Sequence, residues 1–279
     1  MKNNKVYILT AVHNEINDTK KLFQCIYNQT YKNLEVYLID DGSTDGTANF
    51  ISEKYPQVKM FKGDGNLWWT ASLNLGLKSI LKKANVNDYI WIVNNDCYFS
   101  EDILENLYNF SSKHSKSIIG SLILDSETKR VWDSGVKIDW KNFKFTSGGT
   151  DALSTKGTLY PVQVFKEIGL FDAKHFPHYF SDYEFSIRAK RNGYKLLICP
   201  SSSIFNKTKR TGVGDKISSK WSLMEIMEIL FSKRSKVNLR VNFNMIRFVC
   251  PKKYRIKNYF YLIKKIIKNG AKQVINYFK

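Results

Sequence analysis

Adjacent acidic residues, with small polar residues close behind, mark the first place where this sequence could do chemistry. Asp40 and Asp41 begin the segment Asp-Asp-Gly-Ser. Two neighbouring carboxylates are costly unless ligand donors or a cation lie between them. A turn followed by a helix explains the same segment, because Ser43, Thr44 and Asp45 are good helix caps. These residues alone leave both interpretations open.

Short apolar runs and amphipathic segments alternate along the chain around this motif. Runs rich in β-branched or aromatic residues occupy 6–12, 35–39, 58–61 and 89–93, with amphipathic segments around 17–29, 45–54 and 69–83 between them. This alternation predicts an α/β fold with a mostly parallel central sheet covered by helices on both faces. Ligands of such sheets bind beyond the carboxyl ends of the strands. We therefore expect the polar residues at 10–15, 40–47 and 94–96 to form one site.

These motifs, in this order, resemble those of the family 2 glycosyltransferases, which are inverting, use a nucleotide sugar and have the GT-A fold. The resemblance covers about residues 5–206 and includes the segments 65–76 and 176–194. It implies a Rossmann-like sheet flanked by helices. The implied reaction moves a hexosyl or deoxyhexosyl group from a UDP- or dTDP-sugar to a saccharide or lipid-linked acceptor. The bacterial rhamnosyltransferase-like subgroup is the one resembled, which implies a role in cell-surface polysaccharide biosynthesis.

The resemblance assigns the nucleotide sugar to eleven residues at the predicted strand ends and in segment 65–76. A carboxylate suits this role because it can accept from the N3–H of a pyrimidine. Segment 65–76 has a structural alternative, a loop followed by an ordinary helix with its tryptophans in the core. The predicted nucleotide-sugar residues are Thr10, Val12, Asn14, Glu15, Asp40, Asp41, Asn66, Trp68, Asn74, Asn94 and Asn95.

The predicted metal site departs from the family pattern. Relatives typically carry Asp-x-Asp, and the aligned triplet here is Asn94-Asn95-Asp96. Many relatives also gain a histidine ligand after the last core strand, where this chain has Ser-Ile-Phe-Asn at 203–206. A hard divalent ion accepts one carboxylate together with substrate phosphates and water. The resemblance therefore implies that Asp96 binds Mn²⁺ or Mg²⁺, which neutralises charge on the leaving nucleoside diphosphate.

Two acids near the start of a predicted helix are the candidate catalytic residues. Alignment on Arg188 implies that Asp182 is the general base, and Glu184 is the second candidate. A structural role applies to the same residues, because Ser181 can cap the helix and Glu184 can complete a capping box. Side chains two residues apart on a helix point to nearly opposite faces. Only one of the two acids should therefore face the donor.

Basic residues are concentrated at the end of the chain. The chain of 279 residues has a net charge of +19, and residues 217–279 contain fifteen Lys or Arg and two acidic residues. We therefore divide the chain into a GT-A domain, residues 1–205, and a basic, amphipathic helical region, residues 206–279. Around Tyr259 the helical positions separate apolar from basic residues, as in helices that lie on an anionic membrane. A helix packed on the domain with a solvated basic face is the alternative.

The sequence also predicts where in the cell the protein is found. No apolar stretch approaches the length of a membrane-spanning helix, and the first residues contain no signal-peptide core. We therefore expect a cytoplasmic protein that binds peripherally to the inner leaflet of an anionic membrane. The four cysteines lie far apart without C-x-x-C spacing, which predicts free thiols.

Two other functions compete with sugar transfer. A nucleotidyltransferase would use a similar sheet and metal, but it needs a Gly-rich phosphate loop with Lys or Arg after the first strand. This chain has Ala-Val-His-Asn-Glu at 11–15 instead. A basic nucleic-acid-binding protein needs basic residues across the strand-end face, where this chain carries acids. We therefore expect no nucleic-acid partner.

Overall fold

In a computed structural model, which describes residues 4–206, 223–233, 235 and 238–277, the chain builds a central mixed sheet. The described residues contribute nine strands to it: β1 Val6–Val12, β2 Leu34–Asp40, β3 Lys59–Lys62, β4 Tyr89–Ile92, β5 Cys97–Phe99, β6 Ser117–Asp125, β7 Val131–Asp133, β10 Thr158–Pro161 and β11 Lys195–Asn206. A separate hairpin consists of β8 Val136–Asp139 and β9 Lys144–Ser147.

The strand order is β3-β2-β1-β4-β10-β6-β11-β5, and β7 pairs with β6. Strands β3, β2, β1 and β4 are parallel, as the alternation of strands and helices predicts. The sheet becomes mixed beyond β4 because β10 runs antiparallel to both β4 and β6. Strand β11 is parallel to β6, and β5 is antiparallel to β11. This arrangement brings the end of β11 beside the segment that follows β4.

Nine α-helices occur among the described residues: α1 Ile16–Tyr27, α2 Thr47–Lys54, α3 Trp68–Leu81, α4 Ile103–Ser112, α5 Val162–Ile168, α6 Ser181–Arg191, α7 Leu223–Phe231, α8 Leu239–Asn244 and α9 Lys252–Tyr277. A π-helical turn, Met245–Val249, follows α8 directly. The first three helices agree with the predicted amphipathic segments to within two residues at each end.

Strand β1 lies in the middle of the core and is buried on both faces. Val6 and Ile8 pack into the cluster that contains the apolar side of α1, whereas Tyr7 and Leu9 pack into the cluster that contains α3. Helix α3 approaches β1 closely at Gly76, where a Cβ atom would lie 2.4 Å from Leu9 Cδ1. The alternation of side chains along one strand therefore serves two helical layers.

The segments after residue 238 pack against the hairpin and α6. Val241, Met245 and Val249 share an apolar cluster with Val136 of β8 and Ile187 of α6. The predicted boundary between residues 205 and 206 falls at the end of β11, and residues 207–222 lie outside the described part of the chain. The division into two parts stays a prediction.

Two further features concern the cysteines and the lengths of the helices. All four cysteines are free thiols, and Cys97, Cys199 and Cys250 are buried. Of the helices in the described ranges, none combines the length and the apolar character that crossing a membrane requires.

Candidate functional site

The Asp41 carboxylate holds the loop that leads into α3. Its Oδ1 accepts from the backbone N–H groups of Gly65 at 2.9 Å and Leu67 at 3.3 Å, and its Oδ2 accepts from that of Trp68 at 3.0 Å. These bonds satisfy N–H groups that the start of a helix otherwise leaves unpaired. Gly42 permits this contact, because its φ is +72° and a Cβ there would lie 2.9 Å from the Gly65 nitrogen. The Asp-Asp-Gly motif and segment 65–76 therefore form one unit.

Hydrogen bonds also join the ends of β1 and β2. Asp40 Oδ1 accepts from the Ser43 N–H at 2.8 Å, and the Asn14 N–H donates to Ser43 Oγ at 2.8 Å. Asn14 Oδ1 accepts from the Thr44 N–H at 2.9 Å. Glu15 follows with an exposed side chain. Four of the predicted nucleotide-sugar residues, namely Asn14, Glu15, Asp40 and Asp41, thus lie at one edge of the sheet.

Left-handed backbone is concentrated at the predicted site. Seven non-glycine residues in the described part of the chain have positive φ, and four of them are Asn14, Glu15, Trp68 and Phe180. Such conformations are costly for residues with a Cβ atom, and they tend to occur where function requires a particular backbone shape. They support the strand-end loops and the start of α6 as the functional region.

Three other predicted nucleotide-sugar residues, Thr10, Val12 and Asn74, lie in environments that indicate a structural role. Thr10 and Val12 are buried within β1, and the Thr10 hydroxyl has no hydrogen-bond partner among the described residues. The Asn74 amide donates to the Phe171 carbonyl at 2.8 Å and accepts from the Phe171 N–H at 3.1 Å. Asn74 therefore supports the segment after α5 rather than an open surface. By contrast, Asn66 is exposed.

Asp96 lies in a second group of residues, between β4 and the end of β11. Its Oδ2 is 3.7 Å from the ammonium nitrogen of Lys156, and its backbone carbonyl accepts from Asn206 Nδ2 at 3.1 Å. Lys156 donates to Asn206 Oδ1 at 2.8 Å. Asn206, the last residue of β11, therefore binds both the lysine and the Asp96 backbone.

The donors around Asp96 fit a divalent ion held by one carboxylate. The Asp96 side chain is partly exposed, and the buried Oδ1 of Asn94 has no hydrogen-bond partner in the part of the chain that the structure describes. Asn95 and Asp96 line a shallow pocket with Asp18 and Lys21 of α1. No group of three or more His, Cys, Asp or Glu suited to a metal occurs among the described residues. Substrate phosphates and water must therefore complete any coordination shell.

Asp182 occupies the first turn of α6 in surroundings that disfavour its charge. Burial, with a smaller contribution from the nearby Asp133, raises the pKa of its carboxyl to about 7, although the backbone N–H groups of Tyr183 and Thr155 partly oppose the shift. The Tyr183 N–H lies 2.9 Å from Asp182 Oδ1. A carboxylate with such a pKa can both accept and release a proton near neutral pH.

Glu184 has different partners, although it lies only two residues along the helix. Arg188 Nε donates to its Oε1 at 2.7 Å, and Arg188 Nη2 donates to its Oε2 at 3.0 Å. The same guanidinium donates to the backbone carbonyls of Ile168, the last residue of α5, and of Leu170, which follows that helix. Glu184 is therefore engaged in holding α6 to its neighbour.

The start of α3 connects these groups. Trp69 Nε1 donates to Thr155 Oγ1 at 3.3 Å, and the Thr70 N–H donates to the Pro177 carbonyl at 3.1 Å. Thr155 also lies near enough to Asp182 for its backbone to lower the pKa of that carboxyl, and the next residue, Lys156, contacts Asp96. The nucleotide-side loop, the candidate base and the candidate metal ligand are thus joined through a few direct contacts.

Comparison with known families decides among the functions that the sequence leaves open. The model for "Glycosyl transferase family 2" matches residues 7–166, which is more than half of the chain. The chain belongs to glycosyl transferase family 2. This membership favours sugar transfer over nucleotidyl transfer and over nucleic-acid binding.

Curated relatives of this family 2 glycosyltransferase include glycosyltransferase GlyA of Streptococcus pneumoniae, which is 24% identical over 61% of this chain and 23% of the relative. An uncharacterized glycosyltransferase of Haemophilus influenzae is 36% identical over 38% of this chain and 41% of the relative. Another from the same organism is 25% identical over 93% of this chain and 90% of the relative. The matches to the first two relatives span less than half of the relatives' own lengths.

Solved structures share the GT-A fold of this family 2 chain at low sequence identity. GalNAc-T7 with UDP, GalNAc and Mn²⁺ has a TM-score of 0.64 at 15% identity, covering 92% of this chain and 55% of that one. A TarS fragment from S. aureus in complex with UDP-GlcNAc has a TM-score of 0.62 at 17% identity, covering 98% and 89%. Mannosyltransferase PcManGT from Pyrobaculum calidifontis with GDP-Man and Mn²⁺ has a TM-score of 0.61 at 14% identity, covering 99% and 74%.

Sequence reasoning missed several residues of the site in this family 2 chain. Thr155 and Lys156 precede β10 and contact Asp182 and Asp96, and Lys233 lies 5.3 Å from the Trp68 ring. Their types and local spacing carry no signal, because their partners lie far away in the sequence. The one cue in the sequence is the glycine at 157 itself, which the structure shows at a positive φ next to them.

Proposed function

We propose that this family 2 glycosyltransferase transfers a hexosyl or deoxyhexosyl group from a UDP- or dTDP-sugar to a saccharide or lipid-linked acceptor, with inversion. We assign it to the rhamnosyltransferase-like subgroup and to cell-surface polysaccharide biosynthesis. One observation carries the proposal. Thr155 lies beside Asp182, whose pKa burial raises to about 7, and the next residue, Lys156, lies 3.7 Å from Asp96, so the proposed base and a cation lie on either side of one short segment.

Asp182 acts as the general base in this proposal. Its carboxylate takes the proton from an acceptor hydroxyl while that oxygen attacks the anomeric carbon. The bond from that carbon to the nucleoside diphosphate breaks, and the diphosphate leaves with the electron pair. A single displacement of this kind inverts the anomeric centre. A pKa of about 7 suits the step, because a base works best when its pKa lies near the working pH.

The donor nucleoside is assigned to the joined ends of β1 and β2. Asn14, Glu15, Asp40 and Asp41 lie there, and Asp41 holds the loop that contains Asn66 and Trp68. A TarS fragment binds UDP-GlcNAc and PcManGT binds GDP-Man, so structures with this fold accept more than one base. The preference for a pyrimidine rests on the carboxylates, which can accept from its N3–H.

Asp96 is the proposed ligand of Mn²⁺ or Mg²⁺, and the side-chain oxygen Oδ1 of Asn94 and the residue Asn95 lie beside it in the chain. The ion, when bound, neutralises charge on the diphosphate. GalNAc-T7 and PcManGT are both described with Mn²⁺, which supports a divalent metal in this fold.

We also propose that the protein binds an anionic membrane from the cytoplasmic side through α9. The apolar row of α9, defined as Ile256, Phe260 and Ile263, faces outward, and Ile256 and Phe260 are 72% and 69% exposed. The opposite side of the helix packs on the domain through Leu262 and through Asn258, whose Nδ2 donates to the Trp140 carbonyl at 2.8 Å. Packing on the domain therefore leaves the apolar row free to contact another surface.

The positive charge around the apolar row of α9 supports anionic lipid as the partner of this surface. Lys252, Lys253, Lys257 and Lys264 are exposed around the apolar row. Helix α7 also carries exposed apolar side chains, namely Met224, Met227 and Phe231. An apolar stripe flanked by lysines is typical of helices that lie on anionic lipid. The side chains beyond Lys264, which include most of the predicted amphipathic tail, lie outside the described part of the chain.

A thermal-shift panel tests the proposed donor class. The full chain is heated with UDP-, dTDP- and GDP-sugars, each with Mn²⁺ and with EDTA. A ligand that binds only the folded state raises the melting temperature. We expect a rise with UDP- or dTDP-sugars that is larger with Mn²⁺. A rise with GDP-sugars alone contradicts the pyrimidine assignment, and no rise with any nucleotide sugar contradicts the proposed function.

A further inference from the structure

A lysine with no assigned role lies beside the proposed metal ligand. The ammonium nitrogen of Lys156 is 3.7 Å from Asp96 Oδ2 and 5.6 Å from the centroid of the Trp132 ring. The Lys156 side chain is 19% exposed, so it is largely enclosed but can still be reached by a ligand. Its positive charge is therefore held where the donor diphosphate is expected.

Asn206 fixes the ammonium without neutralising it. Asn206 is buried, and its Nδ2 donates to the Asp96 carbonyl, which turns its Oδ1 toward Lys156. Lys156 donates to that Oδ1 at 2.8 Å, and this is its one hydrogen bond among the described residues. An ammonium group has three N–H donors. Two of them are thus left for a ligand, and the nearest carboxylate lies beyond hydrogen-bond distance.

The backbone next to Lys156 is tightly constrained. Gly157 has a φ of +68°, which favours glycine, and a Cβ atom there would lie 1.8 Å from Ile204 Cδ1 of β11. Ser121 Oγ donates to the Gly157 carbonyl at 2.8 Å. On the other side, Thr155 Oγ1 accepts from Trp69 Nε1 at 3.3 Å. Lys156 is therefore held in place from both sides, as a preorganised cation should be.

We propose that Lys156 contacts the diphosphate of the nucleotide-sugar donor and stabilises the leaving group. This inference rests on the proposed sugar transfer. When the bond between the anomeric carbon and the diphosphate oxygen breaks, the electron pair stays on that oxygen, and the acceptor proton goes to Asp182. The Lys156 ammonium group faces the growing negative charge. Its charge adds to that of any divalent ion, so part of the diphosphate affinity does not depend on metal.

Binding of a nucleoside diphosphate without metal tests the inference. The affinities of UDP, dTDP, uridine and thymidine are measured by calorimetry or ligand-observed NMR in excess EDTA. We compare the native full chain with Lys156→Gln and Lys156→Met. Lys113→Gln is the matched control, because it removes one positive charge from an exposed lysine just after α4.

We expect both Lys156 variants to bind the diphosphate roughly tenfold or more weakly, the loss typical of one hydrogen bond to a charged group. Their affinity for the nucleoside should not change, and Lys113→Gln should match the native chain. Unchanged diphosphate affinity, or an equal loss for nucleoside and diphosphate, overturns the role of Lys156. If the native chain binds no nucleotide at all, even with Mn²⁺, the proposed function itself fails.

Discussion

Glu184 and Arg188 form a two-point ion pair within α6, with N–O distances of 2.7 and 3.0 Å. The Glu184 side chain is only 12% exposed, and its partner also binds two backbone carbonyls after α5. Asp182, in the same turn of helix, instead accepts from the Tyr183 N–H at 2.9 Å and lies near Thr155, the residue before Lys156. Glu184 is thus engaged in a structural ion pair, which leaves Asp182 as the acid that we propose to be catalytic.

Substitution of each acid by its amide should separate these tasks. Asp182→Asn keeps the shape but removes proton acceptance, so turnover should fall by roughly 10²-fold or more while nucleotide binding is retained. Glu184→Gln should retain turnover and lower the free energy of unfolding by about 1–3 kcal/mol, because a buried charge loses its partner. Steady-state kinetics and thermal melts measure both effects. Near-normal turnover in Asp182→Asn together with a loss in Glu184→Gln makes Glu184 the base.

The raised pKa of Asp182 predicts a pH-dependent difference in stability. Below its ordinary pKa of 3.8 the carboxyl is protonated in both the folded and the unfolded chain. Between 3.8 and about 7 the unfolded chain releases the proton and the folded chain keeps it, so the free energy of unfolding falls as the pH rises. Asp182→Asn lacks this loss and should melt above the native chain at about pH 8. A difference in melting temperature that is constant from pH 4 to 8 contradicts the shifted pKa.

Asp41 should matter more for stability than its neighbour Asp40. Asp41→Ala leaves the three N–H groups at the start of α3 without their acceptor, each at a cost of about 1–3 kcal/mol if it stays buried. Asp40→Ala removes the bond to the Ser43 N–H. We expect both variants to bind the nucleotide more weakly in calorimetry, and Asp41→Ala to show the larger fall in melting temperature. Equal melting temperatures would mean that Asp41 does not support the loop.

Elements set by local pattern were predictable from the sequence. Strand β1 agrees with its prediction at both ends, because seven consecutive buried residues give a strong signal. The first three helices and the parallel order of β1–β4 follow from the same alternation. The antiparallel insertion of β10 between β4 and β6 was not predictable, because it depends on pairing between strands far apart in the chain.

The site was predictable in part for the same reason. Polar residues directly after strands, such as Asp41 and Asp96, stand out in the sequence. Lys156 and Asn206 do not, because their meeting depends on the arrival of β11 next to the segment after β4. Asn74 lies in a motif that resembles the family, yet its amide is used by the Phe171 backbone. Motif membership therefore did not reveal which side chains face a ligand.

The apolar row of α9 should be required for membrane binding but not for folding. Ile256→Glu combined with Phe260→Glu places two charges where the proposal places lipid, so sedimentation with phosphatidylglycerol vesicles should fall by about tenfold or more. Val86→Glu is the control, because Val86 is also an exposed apolar side chain but lies far from α9 in the sequence. Point variants are preferable to truncation, since α9 also contributes the buried Leu262. Unchanged sedimentation of the double variant contradicts the proposed surface.

Inverting sugar transfer is tested most directly by the anomeric configuration of the product. The donor selected by the thermal-shift panel is incubated with an acceptor, and NMR follows the anomeric proton while the released nucleoside diphosphate is quantified. We predict one nucleoside diphosphate released for each sugar transferred, a product with the opposite anomeric configuration to the donor, and little product with Asp182→Asn. A product that retains the donor configuration contradicts a single displacement with Asp182 as the base.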